Sequence, residues 1–168
     1  MRRIGITGGI GSGKSVVSRL LRIMGYSVYD TDSEAKRLME SSLEVVQKLS
    51  ECFGRDIYHN GRLNRGLLSS RVFGKSDKIV LLNSIVHPVV RFDFYRWSES
   101  LNEEICFVES AILYESRFDE LVDEEEIKKR MAAQLSEEEK QRRAAHIIWN
   151  DGNVSVIHRV LSLLKSLE

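Results

Sequence analysis

The sequence has few of the residues that cross-link or interrupt a chain. Its 168 residues include one proline, Pro88, and two cysteines, Cys52 and Cys106, which are far apart and form no metal or redox motif. Isolated cysteines suit a reducing compartment, so we expect a cytoplasmic protein. No apolar run approaches the roughly 20 residues that span a membrane. Because Met1-Arg2-Arg3 leads directly into a predicted strand, we expect neither a signal peptide nor a membrane partner.

An excess of charge of either sign is also missing. Lys and Arg together number 25, as do Asp and Glu, so the formal net charge is zero. This balance supplies no broad electrostatic attraction to nucleic acid, and we expect no nucleic-acid partner. With 42% hydrophobic and 30% charged residues, a chain of this length is expected to form one folded domain, as a monomer or weak homo-oligomer.

The sequence does contain a phosphate-binding loop. Residues 8–15 are Gly-Gly-Ile-Gly-Ser-Gly-Lys-Ser, the pattern G-x-x-x-x-G-K-[ST], between a predicted strand over 3–7 and a predicted helix over 15–24. The glycines let backbone N–H groups turn towards a phosphate, and the helix N-terminus adds partial positive charge. Lys14 can reach the terminal phosphates, and the Ser15 hydroxyl can ligate Mg²⁺. The loop therefore predicts a nucleoside triphosphate site, formed by Gly9, Gly11, Ser12, Gly13, Lys14, Ser15 and Val16.

Acidic residues follow two further predicted strands. Asp30 and Asp32 follow the second strand, at the edge where open α/β sheets bind ligands. A carboxylate there can accept the proton of an attacking hydroxyl or hold Mg²⁺ through water. Both residues could instead be helix caps, and we favour catalysis for Asp32. Glu109 ends an apolar run over 105–110, predicted as a central parallel strand, and could lie near the Mg²⁺ held by Ser15.

Residues 31–100 predict a helical insertion, which in P-loop proteins can carry the second substrate. Apolar stripes indicate three helices, and Pro88 is expected to end the third and begin a fourth. The stripes are Leu43, Val46, Leu49 and Phe53; Leu63, Leu67, Leu68 and Phe73; and Ile79, Leu82, Ile85 and Val86. Arg65 could bind a substrate phosphate, and His87 is either a ligand contact or a plain boundary histidine.

The C-terminal third predicts fewer strands than a doubly wound P-loop sheet needs. A short strand is expected over 146–149, then a turn, then a helix that buries Ile157, Leu161, Leu164 and Leu167. A further strand is expected between Ser110 and His146, yet the sequence there is helical or charged in character. Such a strand, with its loops and part of a helix, would need roughly 20–30 residues.

Together these motifs resemble those of dephospho-coenzyme A kinases. Residues 7–15 are similar to that family's phosphate loop, and Asp30-Thr31-Asp32 with Ala35 is similar to its D-x-D-x-x-A element. Further similar segments are Gly61–Arg65 with Val72-Phe73, His87-Pro88, Glu109 with Ile112–Glu115, and Asn150-Asp151-Gly152. The segments occur in the family's order over most of the chain.

The resemblance implies an α/β P-loop nucleoside triphosphate hydrolase fold, a doubly wound parallel sheet with a helical insertion and a lid. Residues 1–168 would form one kinase domain: a nucleotide-binding core over 1–30, 103–123 and 144–168, a substrate-binding subdomain over 31–100, and a lid remnant with the following helix over 124–143. The implied reaction transfers the γ-phosphate of ATP, with Mg²⁺, to the ribose 3′-hydroxyl of dephospho-coenzyme A, the last step of coenzyme A synthesis.

The resemblance also implies residue roles. Asp32 would be the catalytic base, assisted by Lys14, and Asn150 and Gly152 would frame the adenine. Ser15 and Glu109 would hold the metal. The substrate-binding residues would be Thr7, Asp32, Arg65, His87 and Glu109.

The sequence departs from the family pattern in several respects, among them Ala111 in place of a proline, and Ala145 and Trp149 each in place of an acid. Lys36 replaces an arginine, which would weaken a bidentate phosphate contact unless Arg37 substitutes for it. The fourth strand and the basic lid are missing between Asp123 and Glu124. Either they are deleted, which should leave unpaired strand edges, or the sequence omits residues, which we favour because the flanking motifs are intact.

Other functions would share the phosphate loop. The nearest is another P-loop kinase for a nucleoside, nucleotide or sugar acid. A GTP-dependent switch would normally carry N-K-x-D and D-x-x-G elements, and neither is found in the sequence. A module that binds nucleotide without turnover is a third possibility if the lid is absent.

Overall fold

The computed structural model describes residues 1–9, 11–121, 136–149 and 154–167. Asn150 and Gly152, and the junction between Asp123 and Glu124, lie outside the described residues. The chain divides into two compact units, the first formed by Met1–Asp30 with Leu101–Glu168 and the second by Thr31–Ser100.

The described residues form five strands and seven α-helices. In chain order they are β1 (Arg2–Ile6), α1 (Lys14–Ile23), β2 (Val28–Asp30), α2 (Thr31–Ser41), α3 (Leu43–Phe53), β3 (Tyr58–His59), β4 (Arg62–Leu63), α4 (Arg65–Val72), α5 (Ser76–Ser100), β5 (Ile105–Glu109), α6 (Glu137–Arg143) and α7 (Val156–Leu167). None of these helices is both long enough and apolar enough to cross a bilayer.

A parallel sheet with strand order β1-β5-β2 forms the centre of the first unit. The middle strand β5 is almost inaccessible to solvent, since Cys106, Phe107 and Val108 are 0–2% exposed. A strand buried on both faces has the continuous apolar run seen here. The predicted central strand and the α/β class are therefore confirmed.

Helices α1 and α7 pack against this sheet. Leu21 of α1, Phe107 of β5 and Val160 of α7 belong to one buried cluster, completed by Leu164 and Leu167. The predicted burial of Ile157 and Leu161 was wrong, because they are 55% and 41% exposed. The predicted burial of Leu164 and Leu167 is confirmed. Val160 joins them on the buried face of α7, with Val156 and Leu163 partly buried beside it.

The second unit is helical apart from a small hairpin. Its longest helix, α5, continues through Pro88, so the predicted break at this residue was wrong. Proline inside a helix costs about 3 kcal/mol. Burial of Ile85 and Val86 before the proline, and of Val90 and Phe94 after it, offsets that cost.

Three other predictions about the second unit and the C-terminal third were also wrong. Leu43 and Phe73 are 87% and 84% exposed, because each lies at a helix end rather than on the buried stripe. Leu63 belongs to β4, which pairs with β3 across an Asn60-Gly61 turn. Residues 146–149 form no strand; Ile148 packs on the core while Trp149 is 52% exposed. A strand needs a partner edge, and in the described residues β1 and β2 each pair with β5 alone.

Candidate active site

The phosphate loop joins β1 to α1, and at two of its glycines any other residue would strain the backbone or collide with a neighbour. Gly13 is the N-cap of α1 and has left-handed backbone angles, φ 94° and ψ 14°. Its carbonyl accepts hydrogen bonds from Val16 and Val17, which start the helix. A Cβ on Gly8 would lie 2.7 Å from the Ser12 hydroxyl oxygen. The sequence therefore folds into a narrow turn whose backbone a side chain would obstruct.

Lys14 is held at this loop by two hydrogen bonds. Its Nζ donates to the carbonyl oxygens of Gly8 and Gly9, each at 2.7 Å. The ammonium group thereby lies over the glycine backbone, where a phosphate bound by the loop would meet it.

Glu109 meets the first turn of α1. The Ser15 hydroxyl donates a hydrogen bond to Glu109 Oε1 at 3.1 Å, and Glu109 is 8% exposed. The sheet register explains the contact, because the Cα of Glu109 is paired with Ile6 of β1 and with Asp30 of β2. All three strands end at the same edge of the sheet. In open α/β sheets, ligands bind at this edge, beyond the carboxyl ends of the strands.

The oxygen atoms at this edge fit a magnesium–nucleotide complex. Mg²⁺ prefers oxygen ligands and is usually held by one or two protein groups together with phosphates and waters. Ser15 and Glu109 provide such a pair, and the described residues contain no cluster of three or more His, Cys, Asp or Glu that could bind a metal alone. Thr7 Oγ1, directly before the loop, is buried without a hydrogen-bond partner within the described part of the chain.

Other candidates lie in the second unit. Asp32 is exposed in the first turn of α2, two residues after the end of β2. Arg65, at the start of α4, is half exposed and forms an ion pair with Glu40 at 3.4 Å. His87 is partly buried within α5, and burial, followed by the charge of Arg91, lowers its pKa.

Arg37 is engaged in ion pairs of the second unit. Its guanidinium contacts Glu34 on its own helix and Asp93 of α5, the latter at 2.7 Å. These carboxylates raise the Arg37 pKa, with Glu34 the larger cause. The side chain that was considered a substitute for the family arginine at Lys36 therefore joins α2 to α5.

The sequence analysis missed Lys140 of α6. This lysine is 4% exposed, and its Nζ donates to the carbonyl oxygen of Ala111 at 3.3 Å, just beyond Glu109. Lys140 lies in a segment of mostly charged residues, and the sequence pattern does not show which of them is buried. The β3–β4 hairpin was also missed, although Asn-Gly between short strands is a known hairpin signal.

A glycine loop that leads from a parallel strand into a helix, with the helix hydroxyl bonded to a carboxylate of the adjacent strand, is characteristic of P-loop nucleotide-binding proteins. The chain is a P-loop protein of the kinase type. More narrowly, it belongs to the dephospho-CoA kinase family, whose model matches residues 2–125. Members of this family are enzymes that use ATP to carry out the last step of coenzyme A synthesis.

Individual relatives support this assignment. The chain is 48% identical over 123 residues to a dephospho-CoA kinase of Porphyromonas gingivalis, covering 73% of this chain and 61% of that protein. It is 37% identical to a dephospho-CoA kinase of Bacteroides fragilis, over 98% of this chain and 92% of that protein. A crystal structure from Thermus thermophilus has a TM-score of 0.78 at 30% identity. The match covers 99% of this chain and 97% of that one. A Campylobacter jejuni dephospho-CoA kinase, 16% identical with a TM-score of 0.67, shares the fold.

The chain lacks interior residues that the Bacteroides relative has. The Bacteroides alignment runs over 189 residues, whereas the whole chain has 168, so at least 21 residues of that relative have no counterpart here. The family match ends at residue 125, next to the junction of Asp123 and Glu124. This length difference agrees with the roughly 20–30 residues that the sequence analysis finds missing, those of a strand with its loops and part of a helix.

Proposed function

We propose that this chain transfers the γ-phosphate of ATP to the ribose 3′-hydroxyl of dephospho-coenzyme A. The hydrogen bond of 3.1 Å between Ser15 and Glu109 carries the proposal, because it joins the phosphate loop to a carboxylate in the position expected for a Mg²⁺ site. Family membership supplies the substrate. We further propose that the enzyme works in the cytoplasm, as a monomer or weak homo-oligomer.

The loop would bind the triphosphate. The backbone N–H groups of Gly9, Gly11 and Gly13 would donate to phosphate oxygens. Ser12 and Val16 would line the same loop, with their own N–H groups bonded to the carbonyl oxygens of Gly9 and Gly13. Lys14 would move from its carbonyl partners to the terminal phosphates. Ser15 and Glu109 would hold Mg²⁺, which neutralises charge on the phosphates when bound. Asn150 and Gly152 would contact the adenine.

Asp32 would act as the general base in this reaction. Its carboxylate takes the proton of the 3′-hydroxyl while the hydroxyl oxygen forms a bond to the γ-phosphorus. The bond from that phosphorus to the bridging oxygen breaks, and its electron pair leaves with ADP. The position of Asp32, two residues beyond the strand that pairs with Glu109, supports this role.

The second unit would bind dephospho-coenzyme A. Arg65 could give up its exposed, 3.4 Å contact with Glu40 to bind a substrate phosphate at little cost, since surface ion pairs contribute at most about 1 kcal/mol. His87 and Thr7 would provide further substrate contacts. The first unit would then be the nucleotide-binding core and residues 31–100 the substrate-binding subdomain.

A coupled ADP-release assay with dephospho-coenzyme A tests the proposal. The wild-type protein should release ADP when dephospho-coenzyme A is the acceptor. It should release none above background when a nucleoside takes the place of dephospho-coenzyme A. Turnover with a nucleoside but not with dephospho-coenzyme A would overturn the assignment of the substrate.

The shorter interior favours one second candidate, a module that binds nucleotide without turnover. At least 21 residues of the Bacteroides relative are absent here, and a segment that covers the phosphates would exclude water from them. Binding of ATP that Lys14→Ala abolishes, with no ADP release above background, would support this candidate over the kinase.

A further inference from the structure

We propose that Lys140 is a positioning residue that directs Glu109 towards Ser15 and so fixes the magnesium position; this rests on the proposed function. Lys140 is only 4% exposed, and a buried ammonium group needs polar partners. Its ammonium donates to the carbonyl oxygen of Ala111 at 3.3 Å. Ala111 is two residues beyond the proposed metal ligand.

The backbone between these residues is held on both sides. The Ser110 N–H donates to the carbonyl oxygen of Ile6 at 3.0 Å, which extends the pairing of β5 with β1 past Glu109. The Ser110 hydroxyl accepts from the N–H of Ile112 at 3.3 Å, which starts the following turn. Lys140 therefore holds the carbonyl of the 111–112 peptide, whose N–H is already bonded to the Ser110 hydroxyl, two peptides beyond the last one that the sheet holds.

A second side chain of α6 contacts the same turn. The Arg143 guanidinium lies 5.7 Å from the centre of the Tyr114 ring, within the range of a cation–π interaction, and forms an ion pair with Glu139 at 2.8 Å. Lys140 and Arg143 are three residues apart and so share one face of the helix. That face covers the turn directly after the carboxylate.

Fixing this turn restricts the direction in which Glu109 points. Groups that orient a metal ligand typically change metal affinity 10- to 100-fold when they are removed. Lys140→Met keeps a side chain of similar length for packing and removes the donor. We expect it to weaken binding of Mg²⁺-ATP by about tenfold and to leave binding of ATP in EDTA unchanged.

The experiment measures ATP binding by calorimetry, with Mg²⁺ and with EDTA, on the full chain. Arg142→Met is the matched control, since this arginine is on the same helix but 78% exposed, and it should bind as wild type does. Lys140→Arg keeps a cationic donor and should recover most of the Mg²⁺-dependent affinity. Thermal unfolding shows whether each variant is folded. If Lys140→Met does not fold, Lys140→Leu, which also has no donor, replaces it.

The outcomes separate this proposal from the proposed function. Weakening that depends on Mg²⁺ supports Lys140 as a positioning residue even if no ADP is released. Equal weakening with Mg²⁺ and with EDTA would show a general structural role and would overturn it, as would Mg²⁺-ATP affinity within twofold of wild type. Absence of turnover in the wild type would overturn the kinase assignment alone.

Discussion

The Ser15 hydroxyl donates to the Glu109 carboxylate at 3.1 Å, although 94 positions separate the two residues in the chain. The contact forms because β1, which leads into the phosphate loop, lies beside β5, which ends in Glu109. It brings together two oxygen groups that suit Mg²⁺.

Replacing Glu109 by glutamine should impair the use of magnesium. The amide has the same shape but no charge, so we expect kcat/KM to fall by about 100-fold and the half-saturating Mg²⁺ concentration to rise. Initial rates of ADP release across a Mg²⁺ titration measure both. Glu104→Gln, an exposed residue just before the start of the same strand, is the control and should match wild type. A Glu109→Gln enzyme with unchanged Mg²⁺ dependence would remove Glu109 from the metal site.

Asp32→Asn should lower kcat more than it changes the KM for ATP. Loss of a general base typically costs 10²- to 10⁴-fold, and the asparagine cannot take up the proton. The coupled assay at saturating substrates measures this loss. Asp77→Asn, an exposed acid in the first turn of α5, tests whether any surface charge in this unit has the same effect. An unchanged rate in Asp32→Asn would eliminate it as the base.

Two glycine variants should have opposite effects on stability. Gly13→Ala forces a side chain into left-handed backbone angles, which costs about 1–2 kcal/mol, and it should also weaken ATP binding. In Gly66→Ala the new Cβ would contact only Asn64 Oδ1, at an ordinary 3.5 Å. Because alanine is favoured over glycine inside a helix, the free energy of unfolding of this α4 variant should rise by about 0.5 kcal/mol. Urea unfolding measures both. A neutral Gly13→Ala would show that the loop tolerates a side chain there.

Stability should fall as the pH is lowered through the titration range of His87. Burial, and secondarily Arg91, lower the pKa of His87 from its usual 6.5 in the folded state, so the unfolded chain binds more protons below that pH. The stability that His87 contributes is therefore complete above pH 6.5 and is lost as the pH drops towards the folded-state pKa.

Urea midpoints at pH 7.5 and 5.5 test this dependence. The difference between the two should shrink in His87→Gln, which does not titrate. Arg91→Gln should retain most of the difference, since burial is the larger cause. An equal difference in wild type and His87→Gln would contradict the prediction.

The sequence predicted features that depend on local chemistry. The glycine spacing of the phosphate loop and the apolar run of β5 each determine their structure within a few residues, and both were predicted correctly. The proximity of Glu109 to Ser15 followed from the rule that parallel strands end at one edge.

The sequence could not predict features that depend on distant packing. Pro88 is a strong local signal for a helix end, yet α5 continues because Val90 and Phe94 are buried on the far side. Lys140 depends on the approach of α6 to the turn after β5, which no local pattern encodes. The stripe of α7 was ambiguous because two apolar faces overlap on the same helix.

The insertion of 31–100 between β2 and β5 has a consequence for how the enzyme is made. A ribosome releases the phosphate loop early, but the strand that lies between β1 and β2 emerges only after the whole helical unit. Until then β1 and β2 lack β5, their neighbour in the sheet that the described residues form. A nascent chain should thus remain unable to hold nucleotide until translation has passed Glu109, and chains truncated before that residue should be prone to degradation or aggregation.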